Sequence, residues 1–183
     1  MRNSRHIPIV LALAIVLLSC KSDAVRNDAV DPDPGNPQAA VLNGLRDEIN
    51  TIYGYSNASE PRVNLGPCGR FAKTFREEWN ARFEKKANIV FVMGFWGTYC
   101  YHVLVRLPDG NYFDGGNGVM SGKTLLDQYP FGTRLDEMTE FDLDRLDKWS
   151  YGLERYYGSC PNYSDNMTAK IIRAHLAMLP NDR

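Results

Sequence analysis

Three residue types within one stretch of this chain could do chemistry together. Cys68 follows Gly66-Pro67 at a helix start, His102 lies in an apolar run that ends at Leu107, and Asp114 closes the run that returns from Pro108-Asp109-Gly110. A thiol, an imidazole and a carboxylate are the parts of a nucleophile, its base and the group that orients the base. Singly, each has an ordinary structural reading: a buried cysteine or half of a disulfide, a satisfied strand histidine, a turn cap. The ordered set points to catalysis, provided the surrounding elements bring its members together.

The positioning elements can be read in order. Asn36 caps a first helix with Pro37 at its first position, and Val41, Leu42, Leu45, Ile49 and Ile52 form one apolar stripe that ends near Tyr53-Gly54. A loop follows to Pro67. The second helix begins near Cys68 and carries Phe71, Ala72, Phe75, Trp79 and Phe83 on one face, with Arg76, Glu77, Asn80 and Glu84 on a solvated one. Cys68 therefore sits on the first turn, where unpaired N–H groups and the helix dipole favour a thiolate. Its N–H is the best candidate to stabilise an oxyanion; Asn64 and Tyr101 are weaker ones.

Ile89-Val-Phe-Val-Met93 reads as a central strand, and Tyr101–Leu107 as the first arm of a hairpin turned at residues 108–110. A three-residue loop pairs Leu107 with Asn111 and Leu104 with Asp114. His102, Leu104 and Asp114 then share one face, because side chains alternate along a strand. Such a diagonal spans about 7–8 Å between backbones, within reach of the two side chains. A slip of one residue would separate them. Gly115-Gly-Asn-Gly118 reads as a flexible turn, Ser121 as the cap of a short helix through Leu126 and Tyr129, and Leu143, Leu146 and Trp149 as another short helix. A last helix over 166–179 packs Ile171, Ile172, His175, Leu176 and Leu179 before Pro180. The expected class is α+β, with helices packed on a small antiparallel sheet.

The 183 residues and 44% hydrophobic content suit one domain, here 36–183. Residues 1–20 read as a targeting segment, with Arg2 and Arg5 before an uncharged run from Ile7 to Leu18 that is short for a membrane span. The Asp- and Pro-rich residues 21–35 form a flexible tether. Without the targeting segment the chain has nineteen basic and twenty-two acidic residues, a formal charge of −3 that suggests no nucleic-acid partner. No Cys/His spacing fits zinc, so neither a metal nor a cofactor is implied. Ser121-Gly-Lys-Thr124 mimics the end of a phosphate-binding loop, but Asn117 stands where the first glycine is required. Asp142, Asp144 and Asp147 lack the spacing of a calcium loop, and Glu77-Glu78 lie on a helix exterior rather than in a glycosidase dyad. His175 reads as a core histidine.

The order G-x-C at a helix start, an apolar strand, then H-x-[aliphatic]-V-x-[aliphatic]-P-x-G-x-[aromatic]-x-D resembles the core of transglutaminase-like enzymes within the papain-like cysteine superfamily, over Gly66 to Asp114. The resemblance implies a papain-like or transglutaminase-like core and acyl transfer from an amide or peptide bond. It gives Cys68 the thioester, His102 the proton transfer and Asp114 the imidazole. The chain differs from the family pattern at Val103-Leu104, where the family favours Ala-Trp, and at Gly115-Gly116, where it favours Pro-Thr. The aromatics of the loop before His102, Phe95, Trp96 and Tyr99, would rim the substrate cleft.

Leu17-Leu18-Ser19-Cys20 resembles the lipobox of bacterial lipoproteins. That implies cleavage before Cys20, its lipidation, and a membrane anchor at the cell envelope. Lys21 in place of an aspartate implies the outer membrane, facing the periplasm. In such an oxidising compartment the three remaining cysteines leave one over: Cys100 and Cys160 are expected to pair and Cys68 to stay free, although spacing alone does not fix connectivity. The expected partners are a peptide or protein amide and the membrane. A non-enzymatic binding or structural lipoprotein with the same fold is the alternative.

Overall fold

The computed structural model of the chain describes residues 36–56, 59–94, 100–137 and 160–180. The targeting segment, the tether, the aromatic rim Phe95, Trp96 and Tyr99, and the expected helix and aspartates between 142 and 149 lie outside the described residues. Helix α1 spans Pro37–Tyr53, and Asn36 accepts from the N–H groups of Gln38 and Ala39. A short 3-10 turn over Arg62–Leu65 leads into α2, Cys68–Arg82. The strands β1 (Asn88–Met93), β2 (Cys100–Arg106), β3 (Tyr112–Asp114), β4 (Gly118–Met120) and β5 (Arg134–Glu137) form one antiparallel sheet in the order β4-β3-β2-β1-β5. Helix α3 (Gly122–Leu126) lies between β4 and β5, and α4 (Asp165–Leu176) closes the described fold.

The protein is thus α+β. The sheet is buried on both sides, which explains why β1 reads as nearly unbroken apolar sequence. Alternate residues Ile89, Phe91, Met93, Val103, Val105 and Phe113 meet α1, α2 and α4. The intervening Val90, Val92, Leu104 and Tyr112 pack with Met120 and Leu125 on the opposite face. Along α2 the rings of Phe71, Phe75, Trp79 and Phe83 contact one another in sequence, and Phe75 also lies 4.7 Å from Phe113 of the sheet.

Several local expectations are corrected. Ile52 is 41% exposed, and Ala39, Asn50 and Tyr53 take its place on the buried side of α1. Asn80 is not a solvated residue: its side chain donates to the Ala87 carbonyl and accepts the Ala87 N–H, fixing the path from α2 into β1. His175 is not in the core; it lies at the α1–α4 seam with its Nε2 2.8 Å from Glu48. β4 and β5 had no clear signature, β4 because three residues around a glycine show no period and β5 because Arg-Leu-Asp-Glu is a charged edge strand.

Phe75 is fully enclosed and joins α2 to the sheet. Phe75→Ala is expected to cost about 3–5 kcal/mol through lost transfer energy and the cavity left behind, read as a lower urea midpoint with an unchanged slope.

Candidate functional site

The hairpin has the register its loop length requires. Arg106 pairs with Tyr112 and Val105 with Phe113, and the Leu107 N–H donates to the Asn111 carbonyl at 2.8 Å. Alternation then puts His102 and Asp114 on the same face, and their side chains meet: His102 Nε2 is 3.1 Å from Asp114 Oδ2. The Cys68 thiol lies beside the same imidazole and helps to raise its pKa. With Nε2 engaged by Asp114, Nδ1 is the ring nitrogen left for sulfur. The sulfur also lies 3.9 Å from the Gly66 carbonyl, a weak contact for its own proton. The three residues singled out at the start therefore lie together, with Cys68 6%, His102 4% and Asp114 2% exposed.

A buried carboxylate is tolerable only when its lone pairs are filled. Asp114 Oδ1 accepts the N–H groups of Gly116 and Asn117 and the Nδ2 of Asn64, while Oδ2 accepts Asn117 Nδ2 beside His102. Behind this cradle, buried Asn50 of α1 donates to the Gly116 carbonyl at 2.8 Å. The Gly-Gly-Asn-Gly segment is a tightly packed turn rather than a flexible one. A Cβ on Gly115 would stand 2.8 Å from the Phe71 ring, and one on Gly116 would collide with the Asn64 side chain. These contacts account physically for Gly115-Gly116 at this point.

Burial opposes charge on both partners, but the pair overcomes it. For His102, burial disfavours the imidazolium, yet hydrogen bonds to Asp114 and Cys68 push its pKa up to about 10. For Asp114, burial works upward, but the hydrogen bond and charge of His102, with the donors Asn117 and Asn64, hold it below the ordinary carboxylate range. The site is thus built to keep an imidazolium at neutral pH.

Among the candidates for an oxyanion donor, Asn64 is committed to Asp114, and Tyr101 stacks against Tyr129 with ring centroids 5.7 Å apart. The Cys68 N–H remains, one of the donors that a helix start leaves without an intrahelical acceptor. Cys68, Cys100 and Cys160 are all free, so the expected Cys100–Cys160 bridge is not formed. The Cys100 thiol instead donates to the His102 carbonyl at 3.3 Å. Burial first, and then the neighbouring Cys68, push Cys100 up to about 12. Cys160 is buried and also raised by burial, with Arg62 acting against the shift. The Ser121 hydroxyl caps α3 through the Thr124 N–H.

Sequence reasoning missed the residues that hold Asp114 and the tyrosine beside the relay. Asn117 and Asn50 lie in stretches whose partners are set only by the tertiary fold. Tyr129 packs on the sheet face that carries Leu104, and burial, followed by the charges of Asp114, Cys68 and Cys100, raises its pKa. The sequence reads as a short helix through Leu126 and Tyr129, but α3 ends at Leu126 and Tyr129 lies three residues beyond it.

The His102 shift makes stability depend on pH. Its contribution is complete below pH 6.5 and is lost as pH rises toward about 10, while that of Asp114 is present above 3.8 and lost in acid. Unfolding free energy measured by urea should therefore fall between pH 6.5 and 10, and His102→Gln should remove that slope; a slope unchanged in the variant would assign it to other groups. Compared with protein-family models, curated proteins and solved structures, the chain matches none.

Proposed function

We propose that this chain is a lipid-anchored cysteine enzyme of the transglutaminase-like type, acting on an amide or peptide bond by acyl transfer, with water as the simplest acceptor. The observation that carries the reading is the His102 imidazole bonded to the Asp114 carboxylate at 3.1 Å with the Cys68 thiol beside it. A cysteine on the first turn of a helix, packed against an antiparallel sheet whose hairpin supplies histidine and aspartate, is also the arrangement that the resemblance over Gly66 to Asp114 implies.

In this mechanism the Cys68 proton already resides on His102, as the imidazolium, and the resulting thiolate attacks the amide carbonyl. The Cys68 N–H faces the developing oxyanion. The imidazolium then gives the proton to the departing amine, leaving a thioester on Cys68. Water, deprotonated by His102, releases the acid; an amine in place of water would give a cross-link. Asp114 keeps its charge throughout and fixes the ring with Nδ1 toward sulfur. The substrate class is a peptide or protein amide. The proposed location is the cell envelope, at the outer membrane facing the periplasm, through lipid on Cys20; this rests on the lipobox-like Leu17-Leu18-Ser19-Cys20 and on Lys21.

One observation favours a second reading, a binding or structural lipoprotein that keeps the fold: all three relay residues are less than a tenth exposed. Thiol chemistry separates the two. For the enzyme, Cys68 should react rapidly with iodoacetamide near neutral pH and show an acylation burst with p-nitrophenyl acetate. Cys68→Ala should abolish both, and His102→Ala should slow alkylation about a hundredfold. An inert Cys68 in the folded wild type selects the second reading. Independently, Cys20→Ser should lose palmitate labelling and move the chain from the membrane to the soluble fraction; retention at the membrane would refute the anchor.

A further inference from the structure

The strand that carries His102 contains one irregularity. β1 and β2 run in register from Asn88 opposite Arg106 to Val92 opposite His102, but the next residue of β1, Met93, faces Cys100. Tyr101 is the extra residue of a β-bulge, a device that re-aims side chains. Without it, Cys100 would share the face of His102, two places away. With it, Cys100 follows Met93 to the face that packs against α2, and its side chain lies against the same core cluster as Cys68.

Both thiols are then tied to one residue. The Cys68 thiol lies beside the His102 imidazole and helps to raise its pKa, and the Cys100 thiol donates to the His102 carbonyl at 3.3 Å. Cys160 is buried in the same cluster as Cys68, but the charged group acting on it is Arg62, whereas those acting on Cys100 are Cys68 and Asp136. Cys100 is also the more open of the pair, half-buried where Cys68 is buried.

We propose that Cys68 and Cys100 form a modification site, a dithiol that a small-molecule disulfide oxidises to a reversible intramolecular bridge. The bulge at Tyr101 and the shared contacts with His102 define it. The exchange balances as follows. The Cys68 sulfur, its proton taken by His102, attacks one sulfur of the small disulfide and expels the first small thiol, leaving a mixed disulfide. Cys100 then loses its proton, attacks the Cys68 sulfur and expels the second small thiol. Two protein thiols are oxidised, one small disulfide is reduced to two thiols, and both protons leave with them. The order follows from His102, whose imidazole acts on Cys68 while only its carbonyl meets Cys100; burial, and after it the charge of Cys68, raises Cys100. The bridge would block the nucleophile until a thiol reductant restores it.

The test treats the folded full chain with oxidised glutathione, traps remaining thiols with iodoacetamide, and maps the non-reduced peptides by mass. The expected product joins the Cys68 and Cys100 peptides and reverts with dithiothreitol. In Cys100→Ser the yield of protein disulfide at Cys68 should fall about tenfold, with a stable glutathione adduct in its place; Cys160→Ser should leave the bridge intact. A wild type that keeps glutathione on Cys68 while Cys100 is alkylated, that joins Cys100 to Cys160, or that leaves both thiols reduced overturns the proposal. The readout uses no amide substrate, so its failure is distinguishable from failure of the acyl-transfer reading.

Discussion

The site depends on a carboxylate and an imidazole buried side by side. Either group alone would be costly to bury in its charged form, and each makes the other tolerable. The rest of the local structure serves that condition. The lone pairs of Asp114 are filled by Asn64, Gly116 and Asn117, and Asn50 fixes the turn that supplies two of those donors. Glycines at 115 and 116 let the turn close against Phe71 and Asn64. The aromatic column of α2 then sets the height at which Cys68 meets His102.

This arrangement has two layers of determination. The large core cluster of α1, α2, α4 and one sheet face fixes where α2 begins, and so where the sulfur lies. The hairpin turn fixes which strand residues point together, and so where the carboxylate lies relative to the ring. The bulge at Tyr101 adds a local exception, turning Cys100 toward the helical side without disturbing the register of His102.

The parts readable in advance were those governed by short-range rules. Asn36-Pro37 marked the start of α1, the spacing of Phe71, Phe75 and Trp79 marked α2, and Pro108-Asp109-Gly110 set the register that joins His102 to Asp114. What escaped was of two kinds. The support of Asp114 comes from asparagines whose loop-like composition does not say what they touch, and the Gly-Gly-Asn-Gly segment reads as flexible when its glycines serve close packing. The other kind is local but unsigned. A bulge adds one ordinary residue, here Tyr101, and charged β5 looks like a loop until β1 pairs with it.

The wiring of Asp114 also bears on when the site comes into being. Its donors come from position 64, from the hairpin and from the turn after it, and the turn is anchored by residue 50. Contacts between segments so far apart in the chain close late, because the entropy of the intervening loops must be overcome first. A partly folded chain therefore presents a cysteine but no relay. The arrangement of Cys68, His102 and Asp114 appears only when α1, α2 and the hairpin have all docked, so its assembly waits on segments far apart in the chain.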